Sequence, residues 1–166
     1  MKYFDFKNDS TTIPKNISNY ALYSGQIFIF GAIITCFMRH YYLSMLMFLL
    51  YVSTMLFWSN VHIEYLSNEK IADSLIGTSV ILLATFYYAR NYFKNRFKNI
   101  WYISISISVF VFIINEIIYY LNITKNNNFV NLIEQNLIHN ISVFSHIIFL
   151  HIMPVFTYIY CAASSI

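Results

Sequence analysis

YALYSGQIFIFGAIITCFMRHYYLSMLMFLLYVSTMLFW, Tyr20–Trp58, decides the fold. It consists of two apolar runs, Tyr20–Met38 and Tyr41–Trp58, with only Arg39 and His40 between them. Each run approaches the roughly 20 residues that a helix needs to cross hydrocarbon. So short a polar break permits only a tight turn, and the pair therefore reads as two membrane spans joined at one face of a bilayer. Gly25 and Gly31 leave room for close helix approach in the first run. Trp58 ends the second where an indole favours the membrane interface.

Three further runs repeat the pattern: Ile71–Tyr88, Ile100–Leu121 and Leu137–Ala162. With 58% hydrophobic residues, 10% charged residues and a mean hydropathy of +0.56 over 166 residues, the chain lacks the polar surface of an ordinary soluble domain. No run carries a period-two alternation across its length, which argues against a barrel. The expected fold class is all-α, a polytopic transmembrane helix bundle of about five spans. A polar amino-terminal segment, residues 1–19, precedes one transmembrane domain, residues 20–166. That segment has no basic cap running directly into an apolar core, so it does not read as a cleavable signal peptide, and the first span does the targeting. Cys36 and Cys161 lie in apolar runs far from any metal or redox spacing and read as packing residues.

Orientation follows from where the cations fall. Arg39 follows the first span and Arg90, Lys94, Arg96 and Lys98 follow the third, whereas the other two connections hold only Lys70 and Lys125. The amino terminus is expected on the lumenal or exterior side and the carboxyl terminus in the cytoplasm, in an endomembrane or the plasma membrane. Lys2, Lys7 and Lys15 count against this, offset in number by Asp5 and Asp9. Glycosylation sequons begin at Asn8, Asn16, Asn122 and Asn140, all on the expected lumenal side, so a glycoprotein is expected. The basic cluster suits anionic lipid headgroups; it is too short and too close to the membrane for nucleic acid.

Phe57–Gly77, FWSNVHIEYLSNEKIADSLIG, carries the chemistry. It places Ser59, His62 and Asp73 near the lumenal boundary, where Glu116 and the late pair His146 and His151 also fall. Ionisable groups at that depth cost free energy unless they pair or bind something. Three histidines and a carboxylate from separate helices are the ingredients of a zinc site with an open position for water. The same histidines could instead bridge helices. A third alternative is haem held between spans two and five, although no CxxCH motif is present.

The order Ser, His, Asp and late His pair resembles the membrane-embedded metal-dependent hydrolase superfamily of alkaline ceramidases, adiponectin-receptor-like proteins and Per1-like enzymes of glycosylphosphatidylinositol-lipid remodelling. The local likeness is closest to the Per1-like branch. Phe57-Trp58-Ser59-Asn60-Val61-His62, Glu69-Lys70, Asp73 and Thr78–Leu82 are similar to its FWS-x-V, His, Glu-Lys, Asp and STVIL-like elements. His146 to Pro154 is similar to its closing motif. The resemblance implies that His62, His146 and His151 ligate zinc, that Asp73 and Ser59 hold the water at that metal, and that the substrate is an acyl ester or amide of a membrane lipid. The alternative is a non-catalytic assembly or scaffold subunit.

The chain departs from that pattern in three ways. It has five spans where the family has seven, so a partner chain or a second copy could supply the others in a homo- or hetero-oligomer. The first spacing is Ser-x2-His rather than Ser-x3-His, and the late pair is His-x4-His rather than His-x3-His. Residues five apart on a regular α-helix diverge by about 140°. A π-bulge would realign the pair, and Pro154 favours irregularity there because it withholds the hydrogen bond to the Leu150 carbonyl.

Overall fold

The computed structural model describes residues 15–59, 68–124 and 132–165. Among them every regular element is helical: α1 (Lys15–Ser24), α2 (Gln26–Phe37), α3 (Tyr41–Trp58), α4 (Asn68–Leu82), a π-turn (Leu83–Ala89), α5 (Arg90–Tyr92), α6 (Asn95–Thr124), α7 (Leu132–His146), a second π-turn (Ile147–Ile152) and α8 (Met153–Ala163). Five helices in the described residues are long and apolar enough to cross a membrane: Ser18–Phe37, Tyr41–Trp58, Ile71–Tyr92, Asn95–Ile118 and Asn140–Ala163. We call these spans one to five. Large apolar side chains cover the outside, Phe37 being 85% exposed and Phe86 70%. Such a surface suits hydrocarbon rather than water.

Spans one and two form the hairpin that the opening stretch predicts. Arg39 closes it at φ 62°, a left-handed backbone that an L-residue adopts at a cost. The turn is held by the Arg39 amide donating to the Cys36 carbonyl and the His40 amide to that of Thr35, each at 2.9 Å. The Ser44 hydroxyl ties the two helices together by donating to the Ala32 carbonyl at 2.8 Å.

Span one is not the single continuous helix that its composition suggests, because it breaks at Gly25. A Cβ at that position would lie 2.7 Å from both Thr54 Cγ2 and Met55 Cε, so the bare backbone is what lets span one lie against span two. Gly31 does the same more gently for span five, where an added Cβ would meet Val155 Cγ1 at 3.1 Å.

Span four begins at Asn95, which puts Arg96 and Lys98 on a helix end rather than in a loop. Their long stems can lie along the helix while the charges stay at the interface. At this end of the bundle, Tyr158 is walled in by Trp101, Phe93 and Tyr88, with ring centroids 4.4, 5.5 and 5.8 Å away. The Trp101 indole donates to Thr85 Oγ1 at 3.2 Å.

Candidate functional site

Span five carries the decisive local feature. α7 ends at His146, residues 147–152 wind as a π-turn, and α8 resumes at Met153. Hydrogen bonds from i to i+5 stack residues five apart, so the ring divergence expected of a regular helix disappears. The Nε2 atoms of His146 and His151 lie 3.2 Å apart, with ring centroids at 4.9 Å. Pro154 is the chemical reason for the irregularity. In π-register the Phe149 carbonyl would pair with residue 154, which has no N–H. The buried Ser108 hydroxyl of span four donates to that carbonyl instead, at 2.6 Å.

The pair is anchored from span one. Ser24 Oγ donates to the Ala21 carbonyl at 2.8 Å and lies 2.7 Å from His151 Nδ1. Phe28 meets the His151 ring edge-on at 4.9 Å, and Trp58 meets His146 likewise at 5.5 Å. His151 is 3% exposed. Beside the pair, Asn115 of span four donates to Ser145 Oγ at 2.9 Å.

A cavity of about 470 Å³ runs through the bundle, and Trp58, Asp73, Glu116, His146 and His151 all contribute to its wall. Ser24, Ser53, Asp73 and His146 each lie within two turns of the boundary where spans one, three and five begin and span two ends. Asp73 stands beyond the first turn of α4, because that helix starts at Asn68, earlier than the sequence suggests. Ser53 of span two lies beside its carboxyl group, with the serine hydroxyl donating to the Leu50 carbonyl at 3.2 Å.

Ser59, paired with Asp73 in the sequence reading, is exposed at the end of α3 and donates to the Leu56 carbonyl at 3.3 Å. His62 lies outside the described residues. Among the described residues no group of three or more His, Cys, Asp or Glu side chains gathers closely enough to hold a metal ion. His146 and His151 supply two imidazole nitrogens, short of the three or four protein ligands that a zinc site uses. Two nitrogens bound tetrahedrally at 2.0–2.1 Å sit about 3.3 Å apart, close to the spacing found here. The sequence reading missed Ser24 and Ser53, since a lone serine in an apolar run carries no periodic signal.

Fold and site together define a polytopic helical membrane protein with a histidine pair, His151 buried and His146 half-buried, on the wall of a cavity. Comparison with protein-family models, with curated proteins and with solved structures gives no match.

Proposed function

We propose that the protein is a membrane-embedded, zinc-dependent hydrolase that cleaves an acyl ester or amide bond of a lipid. The observation carrying this reading is the π-turn, which sets two imidazole nitrogens 3.2 Å apart on the wall of a largely apolar cavity that Asp73 also lines. His146 and His151 would hold the metal together with His62, and Ser59 would join Asp73 at the water. When bound, zinc supplies Lewis acidity toward the acyl carbonyl and toward water.

The chain's own groups do the rest. Apolar walls receive the acyl chain and exclude bulk water. Asp73 takes a proton from water as its oxygen adds to the carbonyl carbon, and returns it to the departing alkoxide or amine as the C–O or C–N bond breaks. The proposed orientation has the amino terminus and the site toward the lumen or exterior, in an endomembrane or the plasma membrane.

The rival reading is a non-catalytic assembly or scaffold subunit, favoured by the polar chain Ser24–His151–His146, which by itself ties span one to span five. Metal analysis of detergent-purified protein separates the two. The hydrolase should carry near-stoichiometric zinc that falls sharply in His146→Ala, and release fatty acid from lipid in a reaction abolished by Asp73→Ala. Stable, metal-free protein would overturn it.

A further inference from the structure

We propose that Ser24 is the positioning residue of the histidine pair, fixing the His151 proton on Nδ1 and so presenting the Nε2 lone pair to a zinc ion. Its purpose rests on the hydrolase reading above; its substance rests on hydrogen-bond geometry alone. A neutral imidazole has one proton for two nitrogens, so the partner of one nitrogen sets the role of the other. Ser24 also has a single proton and two partners in reach, the Ala21 carbonyl at 2.8 Å, which can only accept, and His151 Nδ1 at 2.7 Å, whose role depends on the tautomer. The assignment gives that proton to the carbonyl, so that the serine oxygen accepts from His151 Nδ1–H.

The two rings are then inequivalent. His151 Nε2 is bare, and in metal-free protein His146 Nε2–H donates to it across 3.2 Å. His151 is ready to ligate, whereas His146 must first move its proton from Nε2 to Nδ1. Ser24 can do this because it sits at the break in span one, where Gly25 brings the chain against Thr54 and Met55. Phe28 packs edge-on against the same imidazole, and burial of His151 keeps water from replacing the serine.

The test combines nitrogen NMR of isotope-labelled histidines in the metal-free, detergent-solubilised full chain with zinc affinity from chelator competition. His151 resonances are identified by their loss in His151→Asn. The expected result is a proton on His151 Nδ1 in the wild type and a mixture of tautomers in Ser24→Ala. Zinc binding in that variant should weaken by about 10- to 100-fold, the usual effect of removing the outer partner of a ligating histidine. Ser24→Thr, which keeps the hydroxyl, should restore both. A wild-type His151 protonated on Nε2 overturns the proposal, whether or not Ser24→Ala folds. Zinc affinity unchanged in Ser24→Ala also overturns it and leaves the hydrolase reading standing. Wild-type protein that binds no zinc yet shows the Ser24-dependent tautomer sinks the hydrolase reading and upholds the assignment.

Discussion

Ser108→Ala should destabilise the bundle far more than the loss of one surface hydroxyl would. Ser108 is fully buried, and its 2.6 Å hydrogen bond goes to the Phe149 carbonyl inside the second π-turn. That carbonyl has no substitute donor in π-register, since residue 154 is proline. Stranding a buried acceptor costs about 1–3 kcal/mol. Ser108 Oγ also lies 3.1 Å from the Ser104 carbonyl, but that group stays within the regular α6 ladder, so its share of the loss is small. Chemical unfolding in detergent micelles, followed by circular dichroism, should show the full penalty in Ser108→Ala. In a Pro154→Ala background, where a backbone N–H is restored, the penalty should shrink by about 1 kcal/mol or more, a coupling that a double-mutant cycle isolates. Additive effects, or a Ser108→Ala protein within about 0.5 kcal/mol of wild type, would refute this account of the π-turn.

Substitutions at the three glycines should rank by the space available to a Cβ. Gly25→Ala meets Thr54 and Met55 at 2.7 Å and should cost about 1–3 kcal/mol, Gly31→Ala should cost less, and Gly77→Ala, with nothing within 4 Å, should gain up to about 1 kcal/mol in the same unfolding assay. Tyr158→Phe removes a buried hydroxyl that has no hydrogen-bond partner among the described residues, so stability should hold or rise by up to about 1 kcal/mol. Deleting Ile148 should convert the π-turn to regular helix and keep the histidines on one face, whereas inserting an alanine after it should swing His151 by about 100°. Zinc stoichiometry should survive the deletion and fall with the insertion.

The spans were legible because the apolar runs are long and interrupted by few charges. The expected second span, Tyr41–Trp58, matches the structure at both ends, while the fourth begins earlier, at Asn95 rather than Ile100. The difference arises because Arg96 and Lys98 can reach the interface from a helix end, which hydropathy alone does not register. The site was less legible. His146 and His151 stand out in the sequence as rare polar residues, yet their spacing points them apart on a regular helix. Pro154 signals the irregularity that realigns them, whereas the Ser108 hydroxyl on another span that satisfies the Phe149 carbonyl carries no signal. Gly25 signals close approach, but nothing in its neighbours reveals that the helix stops there. Asp73 was visible as a carboxylate at a boundary, whereas Ser53 beside it was hidden within an apolar run.

The two π-turns change how position along spans three and five must be measured. Each absorbs a surplus residue within the membrane, so the outward-facing stripe before the turn does not continue in phase beyond it. A cysteine scan with a lipid-soluble thiol reagent along span five would give reactivity maxima about every 3.6 residues on either side of residues 147–152, with a phase jump between the two series. For such helices, counting turns from the membrane surface puts a residue on the wrong side of the rod, and spacing within a motif is a poor guide to which side chains meet.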